Sequence, residues 1–128
     1  MQRSKILIVD DEKDIRDLYC SIIDRHFDLE IYTATSLMQV KSVLESLVPD
    51  YVLLDLNLHD GEGFDLIPVL FKVNPKIKIL IISAFSHCKE KQRAVELGAV
   101  GLLAKPFETS VFTEHLQMMT NASKNSFY

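Results

Sequence analysis

Four short apolar runs, Ile6 to Val9, Tyr51 to Leu54, Ile79 to Ile82 and Gly101 to Ala104, are continuous rather than alternating. A strand with one face in water alternates apolar and polar side chains. A continuous run has to be covered on both faces, as in the parallel sheets of α/β domains. A fifth candidate, Glu30 to Ala34, is shorter and more polar, which suits a sheet edge.

The intervening segments carry helical spacing. Ile15, Leu18, Tyr19, Ile22 and Ile23 form one apolar stripe. Leu37, Val40, Val43, Leu44 and Leu47 form a second, opened by Thr35 and Ser36 as caps and closed before Pro49. Gly63 to Phe71 reads as a helix only if Pro68 falls in its first turn. His87 to Leu97, ending at Gly98, is polar along its first half and anchored by Ala94, Val95 and Leu97, which predicts a loosely held helix able to move. A last stripe of Val111, Phe112, Leu116 and Met119 spans Glu108 to Met119, followed by a polar tail. Strand and helix alternate five times, and each crossover has room for one helix, so the expected fold is α/β with a five-stranded parallel sheet wrapped on both faces.

With 128 residues, 48% of them hydrophobic, the chain has the size and apolar content of one domain with a real core. A net charge of −4 argues against direct binding of nucleic acid. Cys20 and Cys88 have neither zinc-ligand nor disulfide-framework spacing and read as reduced thiols in a cytoplasmic protein. No stretch approaches the roughly 18 uncharged apolar residues of a membrane span.

Polar residues gather where the runs end: Asp10 and Asp11 after the first, Asp55 after the second, Ser83 after the third and Lys105 after the fourth. In an open parallel sheet these strand ends share one edge, where ligands bind. If the first and third strands are neighbours, three carboxylates converge, and either some hold protons or a cation neutralises them. All-oxygen donors make Mg²⁺ the expected metal. Lys105 as a point cation and Ser83 as a hydroxyl donor suit the oxygens of a phosphoryl group carried by one of the carboxylates. Taken singly, each residue has a plainer role. The run Asp10, Asp11, Glu12, Asp14 suits a helix N-terminus, Asp55 and Asp60 suit turns, Ser83 suits a cap and Lys105 suits a solvated surface. His26, His59, His87 and His115 lack metal-ligand spacing, and Phe107, Phe112, Met118 and Met119 read as core.

The blocks KILIVDDE from Lys5, YVLLDLNLHDGEGFDL from Tyr51, KIKILIISAF from Lys76 and GAVGLLAKPF from Gly98 resemble the receiver domain of bacterial two-component response regulators. That resemblance implies a flavodoxin-like three-layer (βα)5 sandwich with strand order 2-1-3-4-5. It implies a receiver over 1–121, with 122–128 a polar tail or the start of a linker. It also implies that Asp55 accepts a phosphoryl group from a sensor histidine kinase or a histidine phosphotransfer protein. Asp10, Asp11, Asp55 and the backbone carbonyl of Asn57 would hold Mg²⁺, and Ser83 and Lys105 would bind the phosphoryl oxygens. The Lys105-Pro106 pair matches a place where the family has a cis peptide. An output domain or target would meet the face of helix 4, strand 5 and helix 5.

Two positions depart from the family pattern. His59 stands where Pro is usual, although His59-Asp60-Gly61 still reads as a turn. Leu102 stands where an aromatic ring normally swings inward on phosphorylation. The same residues leave room for two other functions. One is a pseudo-receiver that binds partners without phosphorylation, and the other a phosphatase like the haloacid dehalogenases, echoed faintly by Asp55-Leu56-Asn57. The signalling switch, with no turnover of an outside substrate, fits the order of the acidic residues better.

Overall fold

A computed structural model of the chain describes residues 3–84 and 88–120. Five strands, β1 (Ser4–Val9), β2 (Leu29–Ala34), β3 (Tyr51–Asp55), β4 (Lys78–Ser83) and β5 (Gly101–Ala104), form one sheet in the order β2-β1-β3-β4-β5. Every neighbouring pair is parallel. The expected edge strand is β2, where its more polar side chains meet water.

The continuous runs are explained by which side each residue serves. Ile6, Ile8, Leu53, Leu80 and Ile82 face one core, against Tyr19, Ile22 and Ile23 of helix α1 (Lys13–His26) and Phe112, Leu116 and Met119 of helix α5 (Thr109–Thr120). The alternate residues Leu7, Val9, Val52, Leu54, Ile79 and Ile81 face the other. That core is closed by α2 (Leu37–Val43), α3 (Ile67–Val73) and α4 (Cys88–Leu97), through Val40, Ile67, Leu70 and Ala94.

Ser36 caps α2, its Oγ accepting from the Gln39 N–H at 3.0 Å. Pro68 lies in the first turn of α3, after a single 3₁₀ turn over Gly63–Leu66. Gly98, which ends α4, has φ +95°, a conformation that favours glycine. Between β3 and α3 a two-stranded antiparallel ribbon pairs Asn57–Leu58 with Gly61–Glu62 around the His59-Asp60 turn.

Two expected core positions are corrected. Leu18 is 46% exposed because it lies at the rim of a cavity between α1 and the loop after β5. Val95 is 51% exposed because its neighbour Ala94 occupies the buried side of α4, and successive helical residues point about 100° apart. Helix α4 is thus held by less apolar surface than its sequence promised. His87, expected to open that helix, and the tail from Asn121 lie outside the described residues. No helix among the described residues is long and apolar enough to cross a membrane.

Candidate functional site

The parallel register puts the four strand ends that carry the candidate residues on one edge. Val9 pairs with Leu54, and Asp55 with Ile82, so Asp10 follows β1 at the level where Asp55 ends β3. Ser83 ends β4, and its carbonyl accepts from the Lys105 N–H at 2.8 Å, tying together the ends of β4 and β5. The peptide between Lys105 and Pro106 is cis.

Oxygen atoms of Asp10, Asp11 and Asp55 all lie within 4.8 Å of one another. Asp10 and Asp55 are buried, at 1% and 8% exposure, and Asp11 is exposed. The Lys105 ammonium sits between the buried pair, 3.3 Å from Asp10 Oδ2 and 3.9 Å from Asp55 Oδ2. The other oxygen of each is held by main chain. Asp10 Oδ1 accepts from the Glu12 N–H at 2.9 Å, and Asp55 Oδ1 from the Asn57 N–H at 3.2 Å. Asp10 thus has one oxygen on the main chain that leads into α1, without capping that helix, and the other on the Lys105 ammonium.

One ammonium does not balance three carboxylates. Burial pushes the Asp55 carboxyl up from 3.8 to about 6, against the pull of Lys105 and the Asn57 N–H, and the charges of Asp10 and Asp11 add to the rise. A hard divalent cation meets this need. The donors are all oxygen, they lie close enough to share one ion, and one edge of the cluster is open through Asp11. Ser83 is fully buried beside the same edge. Lys105, which alone would read as a surface charge, has only 21% of its side chain exposed.

Sequence reasoning missed three features. Asp60, read as a turn residue, accepts from the N–H groups of Leu37 and Met38 at 2.9 and 3.1 Å, so the ribbon holds the start of α2. Arg93 of α4 stacks 4.4 Å above the Phe64 ring and reaches Glu62 at 3.5 Å. Tyr19 of α1 stacks on Phe107 and Phe112 and buries its hydroxyl. All three join segments distant along the chain, so no local pattern announces them.

The family model for the response regulator receiver domain matches residues 6–117. The chain belongs to that family. The photosynthetic apparatus regulatory protein RegA of Cereibacter sphaeroides is 32% identical to this receiver over 114 residues, covering 89% of this chain and 61% of that protein. This receiver thus spans about three fifths of that relative. The sporulation initiation phosphotransferase F of Bacillus subtilis is 30% identical over 108 residues, covering 84% of this chain and 86% of that protein. The non-phosphorylated HemR receiver domain of Leptospira biflexa superposes with a TM-score of 0.86 at 26% identity, covering 93% of this chain and 95% of that one. The receiver is a two-component signalling domain with the flavodoxin-like order 2-1-3-4-5, and neither the phosphatase nor the pseudo-receiver reading finds support.

Proposed function

We propose that Asp55 is the phosphoacceptor of this receiver, serving a phosphorylation switch in the cytoplasm. The observation that carries the reading is the Lys105 ammonium held between Asp10 and Asp55 at the edge where three carboxylates meet. An Asp55 carboxylate oxygen attacks the phosphorus of a phosphohistidine on a sensor histidine kinase or histidine phosphotransfer protein. A P–O bond forms, the P–N bond breaks, and the departing imidazole takes up a proton. Lys105 and Ser83 are assigned to the phosphoryl oxygens, as a charge-assisted donor and a hydroxyl donor.

Asp10, Asp11, Asp55 and the Asn57 carbonyl would hold Mg²⁺, which when bound neutralises the charge gathered around the acceptor. The relative named as a phosphotransferase supports a place for such domains in phosphoryl relay. The receiver unit is assigned to 1–121, with 122–128 as tail or linker. Output is assigned to the face of α4, β5 and α5, and the domain turns over no outside substrate and touches neither nucleic acid nor membrane.

The test is Mg²⁺-dependent labelling by acetyl phosphate or by a phosphorylated partner. Wild type is expected to take up one phosphoryl group and Asp55→Asn none. Labelling that survives in Asp55→Asn sinks the assignment.

A further inference from the structure

The ribbon after β3 is fastened at two points to helices that carry none of the site's residues. Asp60, in its turn, accepts from the Leu37 and Met38 N–H groups of α2 at 2.9 and 3.1 Å, with a different oxygen for each. The Leu37 side chain lies against the next residue, so that a β-carbon on Gly61 would collide with it. Glu62, the last residue of the ribbon, pairs with Arg93 of α4 at 3.5 Å. His59 opens the turn and has no ring to fix its φ as a proline would, so the turn takes its rigidity from these contacts with its surroundings.

What the ribbon carries is Asn57. It pairs Asn57 with Glu62 and Leu58 with Gly61, and the Gly63 N–H reaches the Leu56 carbonyl at 2.7 Å. Along an antiparallel ladder, hydrogen-bonded pairs alternate with pairs whose N–H and C=O groups point outward. The bond between Gly63 and Leu56 makes Asn57 an outward-pointing residue. Its N–H goes to Asp55 Oδ1 at 3.2 Å, and its C=O leaves the strand on that same side, the side of the carboxylate cluster. Where that carbonyl sits depends on where the ribbon is held.

We propose that Asp60 is a positioning residue for the cation: by fastening the turn of the ribbon to the first turn of α2, it holds the Asn57 carbonyl beside Asp10, Asp11 and Asp55. The inference rests on the reading that these oxygens take Mg²⁺. Mg²⁺ demands near-ideal octahedral geometry, so a ligand oxygen that must be ordered on binding costs affinity, and one already held in place does not. Such coupling is reciprocal. A cation that draws on the Asn57 carbonyl tightens the ribbon and, through Asp60, the start of α2. That end of α2 presents Met38 to solvent, 77% exposed, so occupancy of the site is legible on a surface outside the face of α4, β5 and α5.

The experiment titrates the phosphate-free protein with Mg²⁺ alone and follows amide resonances by NMR in wild type, Asp60→Ala, Asp60→Asn, Ser36→Ala and Asp11→Ala. Asp60 is exposed, so its variants leave the core untouched. Asp60→Ala is expected to bind Mg²⁺ about threefold more weakly, part of the worth of a helix cap. Asp60→Asn removes the same charge but keeps a capping oxygen, and it should stay close to wild type. Ser36→Ala, which uncaps α2 without touching the ribbon, should bind as wild type does. In wild type the Leu37 and Met38 resonances should move with the same midpoint as Asn57, and in Asp60→Ala they should no longer follow it. Equal affinity in wild type and Asp60→Ala overturns the inference and leaves the metal reading standing. So does an equal loss in Asp60→Ala and Asp60→Asn, which would make charge alone the cause. No binding by wild type, or binding that Asp11→Ala leaves unchanged, overturns the metal reading itself.

Discussion

Gly63 lies so close against the main chain of Asp55 that a β-carbon at position 63 would collide with the Asp55 carbonyl oxygen. The close approach lets the Gly63 N–H reach the Leu56 carbonyl at 2.7 Å and turns Phe64 into the core beneath the site. A backbone atom cannot swing aside as the end of a long side chain can. Gly63→Ala is therefore expected to lower the unfolding free energy by roughly 1–3 kcal/mol, as overpacking does. It should also move the Asp55 and Asn57 amide resonances. Urea unfolding and an amide spectrum check both, and a variant as stable as wild type would contradict the packing.

The raised Asp55 carboxyl makes stability depend on pH. Folded, it titrates at about 6 because of its burial, against an ordinary value of 3.8. Below the lower value both folded and unfolded chains are protonated and the group is neutral to stability. As pH rises through this window the unfolded chain ionises more readily, so folding loses about 2–3 kcal/mol, and above the window the cost is constant. In metal-free buffer Asp55→Asn should be more stable than wild type near pH 7. That advantage should shrink toward nothing near pH 4. Urea unfolding at both pH values in the presence of a chelator measures it, and a gap that widens on acidification refutes it.

Helix α2 depends on two caps from different places. Ser36 supplies one from the chain just before it, and Ser36→Ala is expected to cost about 1 kcal/mol. Asp60 supplies the other from the ribbon, and its carboxyl is held low by the Leu37 and Met38 N–H groups, Leu37 first. Its contribution is present at neutral pH and fades as acid protonates it. Asp60→Ala should raise hydrogen exchange at the start of α2 and also in the ribbon, whereas Ser36→Ala should raise it in α2 alone.

Arg93 is the main polar tie between α4 and the segment after β3. It stacks on Phe64 and pairs with Glu62 in a half-exposed setting, so its effect on global stability should stay under about 1 kcal/mol. Locally the effect should be larger, because Ala94 is the one fully buried side chain among the described residues of α4. Arg93→Met is expected to speed amide exchange in α4 several-fold with little change in the urea midpoint. Unchanged α4 protection would show that the helix is held by something else.

Strand positions were readable because a residue covered on both faces leaves an unbroken apolar run, and β1, β3, β4 and β5 all do so. Capping at Ser36 and the place of Pro68 were readable because both obey rules that operate within a few residues. Burial on α1 and α4 was less so. Leu18 and Val95 satisfy the apolar spacing, yet which arc of a helix meets the sheet is set by its neighbours' positions.

The composition and order of the site also lay in the chain itself: two acids after the first run, one after the second, a hydroxyl after the third and a lysine after the fourth. A strand carries its terminal residue to a fixed edge of the sheet, so chemistry placed at strand ends survives translation into three dimensions. Tertiary structure decided what no local rule covers. It allotted one Asp10 oxygen to Glu12 and the other to Lys105, gave Asp60 to α2, and buried the Tyr19 hydroxyl without a hydrogen-bond partner among the described residues. Those outcomes turn on distances between groups far apart in the chain, and only the packed sheet and helices set such distances.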